Sequence, residues 1–214
     1  MEIFGISIRG LFVLLTIIFG LFVLIYSKLS RSRGDSLKEN FLETESRANS
    51  VRKKDISNLK YITIPFETLP FVTTDDYNIN ACQKELRAFD GKKIVNLSHL
   101  TNTELKMEYG VANLPVLSEY DENCMRLFRT ISNLGFHLSN AGFHDEAISF
   151  LEFGIENGSD ISRNYYVLAD EYLARGQEQK VSHLIEIAEQ IPSLMGPSIV
   201  KELNLKLASI SGQN

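Results

Sequence analysis

Offsetting the sequence against itself by 34 residues exposes a repeat in its C-terminal half, and this constrains the fold more than any other feature. Leu134 and Gly135 fall opposite Leu168 and Ala169, Leu138 opposite Tyr172, and Gly142 opposite Gly176. Leu151 meets Ile185, Gly154 meets Ala188, and Gly158 meets Pro192. The residues between are dissimilar, so what recurs is the order of small and large apolar positions. From Val116 to Ile191 that order has helical period. Gly142 and Gly176 then stand at the turn inside each helical hairpin, where a positive φ costs glycine little. Gly135/Ala169, Ala147 and Gly154/Ala188 are small so that paired helices can approach. Leu134, Leu138, Ile148, Leu151 and Ile155 fill the space between them. A unit of this kind cannot bury its apolar face alone, so units stack.

This pattern resembles the tetratricopeptide repeat over residues 128–195, about two units. The family's early aromatic stands as Ile131 and Tyr165, and its second-helix alanine as Ala147 and Val181. The resemblance implies an all-α fold whose soluble part is an antiparallel helical-hairpin domain, an α-solenoid. The segment "SIVKELNLKLAS" (198–209), with Ile199, Leu203 and Leu207 on one face, reads as part of a capping helix and tail over 196–214. Two units are fewer than such folds usually need, so residues 61–127 are expected to pack on the first unit. The anchor described below, a basic neck, "NTELKMEYGVANL" and the paired repeat together resemble single-pass membrane-anchored, repeat-containing proteins of clostridial-type bacteria. No activity is assigned to that family, so the resemblance implies location and architecture only.

Residues 10–26, "GLFVLLTIIFGLFVLIY", hold 17 residues without a charge. At 1.5 Å per residue this is about 25 Å, which the flanks extend, and a transmembrane helix is expected within an anchor over 1–30. The long core and the absence of an A-x-A site argue against a cleaved signal peptide. Only Arg9 precedes the run, whereas Lys28, Arg31, Arg33 and Lys38 follow it. The positive-inside rule then predicts a single-pass protein of the cell membrane, N-out and C-in, with the soluble domain in the cytoplasm.

Charge is unevenly divided. Residues 1–54 carry nine Lys/Arg against five Asp/Glu, a net of +4, and residues 55–214 carry thirteen against twenty-two, a net of −9. An acidic domain argues against nucleic acid, which needs a cationic face. The basic neck, 31–60, reads as a solvated helix or tether, with "VRKK" (51–54) as a solvated helix end. Residues 61–71, "YITIPFETLPF", are apolar but interrupted by Pro65 and Pro70, and are expected to lie extended over the helices. Asp75 or Asp76 caps a helix to about Phe89, and Thr101 with Glu104 forms a capping box on a helix stopped by Gly110.

Chemistry is sparse. His137 and His144 are seven residues and a turn apart, unlike the i, i+4 pair of a helical metal site. Asp145 and Glu146 suit the start of a helix. The pairs Asp121–Glu122 and Asp170–Glu171 read as solvated helix surface. Cys82 and Cys124 are 42 residues apart without metal spacing and read as packed thiols. No nucleophile elbow, phosphate-binding or dinucleotide motif occurs. No enzyme, cofactor or metal is expected.

Binding is the expected role: an adaptor or scaffold tethered at the membrane, its partners a protein or peptide and, through residues 10–26, the lipid bilayer. The family resemblance places the concave face on Arg129, Ser132, Phe136, Ser139 and Asn140, then Arg163, Tyr166, Asp170 and Leu173. Arg129 and Arg163 suit a carboxylate, and Phe136 or Tyr166 an apolar side chain. The competing expectations are that the protein's own N-terminal segment or cap helix covers these residues, and that the chain is a structural subunit of a larger membrane, envelope or secretion assembly.

Overall fold

In this computed structural model the described residues are 2–3 and 6–211, with side chains described at 12, 15–28 and 38–209. The fold is all-α apart from a two-residue antiparallel pair, β1 (Glu2–Ile3) with β2 (Ile6–Ser7). The helices are α1 (Ile8–Asn49), α2 (Tyr77–Arg87), α3 (Asn102–Tyr109), α4 (Leu114–Asn140), α5 (His144–Glu156), α6 (Ser162–Ala174), α7 (Glu178–Glu189) and α8 (Met195–Ser211).

The anchor is corrected. Among the described residues no helix is long and apolar enough to cross a membrane, which overturns the single-pass span at 10–26 and the cell-membrane, N-out and C-in localisation. The side chains of Arg9, Gly10, Leu11, Val13, Leu14, Arg31 and Arg33, on which that reading drew, lie outside the described residues. The stretch is not a separate element. α1 continues through the polar neck as one 42-residue helix. The bilayer contact inferred from the span loses its basis with it.

The neck docks rather than dangling. Ala48 is fully buried, Glu45 meets Lys106 at 2.8 Å and accepts from Thr103, and α1 thereby packs on α3. Beyond Asn49, "VRKK" is an extended strap and not a solvated helix end. The Lys54 amide donates to Tyr109 O at 3.0 Å, and Asn113 Nδ2 donates to Lys54 O at 2.8 Å. Gly110 (φ 86°) makes room for this strap: a Cβ there would stand 2.2 Å from Arg52 O.

Residues 61–65 lie extended across the helices, but 66–69 form a turn in which the Thr68 and Leu69 amides donate to Pro65 O at 3.0 and 3.1 Å, so the extended reading of 61–71 is corrected for its second half: Pro65 opens a turn there. Ile62 donates to Ile94 O at 2.9 Å, and Ile62, Ile64 and Leu69 enter the core. α2 begins at Asp76, whose carboxylate accepts from the amides of Asn78 and Ile79, and buries Ile79 and Leu86 against α4. The Thr101–Glu104 capping box forms at the start of α3.

α4 is the organising element, 27 residues long. Its first part packs Leu117 with Leu97 and Leu105, and its later turns pack Leu127, Ile131 and Leu134 with the 61–71 segment, α2 and α5. α5 returns antiparallel after Gly142 (φ 86°), and α7 returns against α6 after Gly176 (φ 67°). α8 covers α6 and α7, burying Ile199 and Leu203 completely. Pro197 fits because it sits in the first turn of α8, where no intrahelical donor is lost.

Candidate partner-binding face

The two hairpins set α4, α6 and α8 side by side. Among the described side chains of this layer, those at positions 129, 133, 136 and 140 are all exposed. Steps of four, three and four residues put Arg129, Asn133, Phe136 and Asn140 on one face of α4, a stripe about 17 Å long. Arg129 has no hydrogen-bond or ion-pair partner among the described residues, and Phe136 is 37% exposed.

α6 supplies the second wall. Arg163 donates from Nε to Ser132 Oγ at 3.1 Å and from Nη2 to Asn133 Oδ1 at 2.5 Å. Its guanidinium lies 5.4 Å from the centre of the Phe136 ring. Such a cation over an aromatic face contributes about 0.5–1 kcal/mol at an exposed site. Arg163 is therefore held in place with part of its donor fork already used.

The remaining expected lining residues divide. Ser132 is 1% exposed and lies beneath Arg163, so it supports the face rather than lining it. Asp170 is paired with Lys206 of α8 at 2.5 Å but stays exposed. Tyr166 and Leu173 are half-buried against the second core. Ser139 turns inward and donates to Glu171 at 2.5 Å.

That last contact corrects the reading of Asp170–Glu171 as solvated surface. Glu171 is 6% exposed, because α6 buries Leu168, Ala169 and Tyr172 and carries Glu171 inward with them. Its Oε1 also lies 3.0 Å from His144 Nδ1 at the start of α5. The carboxylate thus ties three helices together. Asp121, the other acid read as surface, accepts from the Leu97 amide at 2.9 Å and fixes the loop before α3.

The serine and histidine on Glu171 are the nearest approach to a catalytic grouping around this carboxylate. Ser139 and His144 share one oxygen of Glu171 and do not form a nucleophile–base pair. Among the described residues no group of three or more His, Cys, Asp or Glu could hold a metal ion. Cys82 and Cys124 are free thiols. Burial pushes Cys124 up to about 12, and burial together with the charge of Glu85 raises Cys82, the reverse of an activated nucleophile.

Asn133 was missed by carrying positions over from the family pattern; the exposed i, i+4, i+7, i+11 spacing from Arg129 is the signal that finds it. No protein-family model, curated protein or solved structure matches the chain.

Proposed function

We propose that the chain is a protein–protein interaction module, an adaptor or scaffold, built on two tetratricopeptide-like repeats over 128–195 with a capping helix and tail over 196–214. The observation that carries this reading is the exposed stripe Arg129, Asn133, Phe136 and Asn140 beside the pre-positioned Arg163. A partner segment laid along it meets an unpaired cation, two amides and an aromatic face in sequence. An acidic side chain next to an apolar one matches that order. Left-handed glycines 34 residues apart, at Gly142 and Gly176, support the repeat reading.

A photo-crosslinking residue at position 133 tests the site. Capture of a partner from this position is expected, lost when Arg129→Glu is added and absent from a probe at Glu119, which is exposed elsewhere on α4. Capture insensitive to Arg129→Glu removes the stripe from the argument. Circular dichroism checks that the helices survive.

One observation favours a second reading, a structural subunit of a larger assembly. Phe12, Leu15, Phe19, Phe22 and Tyr26 are each more than half exposed on α1, and apolar surface of that extent is seldom left uncovered. Capture of a partner from position 22 but not from position 133 supports this second reading.

A further inference from the structure

The end of the domain away from the Gly142 and Gly176 turns holds a cleft of about 520 Å³. The 96–99 loop, the α5–α6 turn and the end of α7 enclose it. Ile155, Ile187, Ile191 and Pro192 form an apolar wall. Ser98, Ser159, Ser193 and Asp160 are polar lining residues. A volume of this order and a few convergent polar groups suit a small organic ligand.

The charge of the cleft is directional. None of its lining residues is a lysine or arginine, and His99 is the one lining side chain able to carry positive charge. Asp160 is half-buried and has no hydrogen-bond or ion-pair partner among the described residues. It faces Tyr165, whose hydroxyl burial, and after it the charge of Asp160, push up to about 12. Two helices end at the cleft as well, α5 through Asn157 and Gly158 and α7 through Gln190. Their C-terminal carbonyls add partial negative charge and favour a cation. The site is also built firmly: Asn96 Nδ2 donates to Gly158 O at 3.1 Å, and the Tyr165 hydroxyl donates to Ser159 O at 3.0 Å.

We infer that this cleft binds a small alkylamine, its ammonium group on Asp160 and the α5 and α7 carboxyl ends, its methylene chain along Ile155, Ile187 and Ile191. The site lies apart from the α4 stripe and stands or falls independently of the partner-binding reading.

Isothermal titration of the full chain with 1,5-diaminopentane tests it, with 1,5-pentanediol and glutarate as uncharged and anionic probes of equal carbon count. The diamine is expected to bind, and Asp160→Asn to weaken it at least tenfold. That substitution breaks no hydrogen bond among the described residues, and circular dichroism checks that the fold is kept. In ¹⁵N spectra the diamine is expected to shift the Gly158, Asp160 and Gln190 amides. Pentanediol or glutarate binding as tightly as the diamine overturns the assignment, as does unchanged affinity in Asp160→Asn. Tighter binding of Nα-acetyl-lysine-N-methylamide than of the diamine overturns the small-amine identity in favour of a lysine side chain.

Discussion

Gly135→Ala is the sharpest test of the packing between α4 and α5. A Cβ at this position would stand 2.5 Å from one Leu151 methyl carbon and 2.6 Å from its Cγ. Leu151 is fully buried and cannot swing aside without displacing the second core. Ordinary carbon contacts lie near 3.5–4.0 Å, so the two helices must separate by about 1 Å. Overpacking of this kind costs about 1–3 kcal/mol. The alanine recovers about 1 kcal/mol of helix propensity. The net expectation is a loss of about 0–2 kcal/mol, or up to about 8 °C in Tm for a chain of this size. Urea unfolding followed by circular dichroism measures it, with an unchanged slope showing that the unfolded state is not the cause. A double-mutant cycle isolates the clash. Leu151→Ala alone should cost about 2–5 kcal/mol. Adding Gly135→Ala to it should then be neutral or stabilising, because the obstructing side chain is gone. If Gly135→Ala stabilises the wild-type chain, as it would on an exposed helix face, the close approach of α4 to α5 is refuted. The second unit tolerates Ala169 at the matching position, so the tolerance itself should be unit-specific.

Gly110→Ala combines a left-handed φ with a collision against the Arg52 carbonyl; it should release the strap, speeding hydrogen exchange at the Lys54 amide with little effect at Leu138. The hydrogen bonds from Lys106 and then Thr103 hold the Glu45 carboxyl below its ordinary value of 4.5. A depressed folded value contributes stability above the unfolded value, lost as pH falls through the folded one, so the docking of α1 on α3 should weaken below about pH 4.5. Comparing Glu45→Gln with wild type between pH 3 and 7 checks this: the variant should lack that acid-dependent loss, and parallel profiles would contradict the assignment. Burial that pushes the Cys124 thiol up to about 12 should leave it unreactive to a disulfide reagent at pH 8 until the chain unfolds, with Cys82 the faster of the two.

Local signals were the readable ones. The Thr101–Glu104 box, the Asp76 cap and the turns at Gly110, Gly142 and Gly176 each depend on residues within a few positions, and each stands where its chemistry requires. Pro65 and Pro70 likewise kept 61–71 out of a helix, though the turn at 66–69 was not foreseen, and the small residues Gly135 and Gly154 identified the close helix approach. What escaped the sequence depends on distant partners. Glu171 resembles its exposed neighbour Asp170, and only Ser139 and His144, 32 and 27 residues away, make its burial tolerable. Lys206 pairs with Asp170 from 36 residues away. The neck docks through Glu45, whose partner Lys106 is 61 residues distant. At the N-terminus the apolar run dominated the reading, yet helix formation carries straight through the polar residues beyond it, because Glu, Lys, Arg and Leu are all good helix formers.

α5 carries two adjoining apolar faces, about 100° apart. Ala147 and Phe150 belong to the core shared with α2, α4 and the 61–71 segment, while Ile148, Leu151 and Ile155 belong to the core shared with α6, α7 and α8. Adjacent residues Phe150 and Leu151 are both fully buried, in different cores. A helix so placed acts as a party wall: neither chamber can open without stripping one of its faces. The two halves of the domain should consequently melt as one cooperative unit despite having separate interiors, and a chain shortened to a single hairpin has no means of keeping both sides of that wall dry.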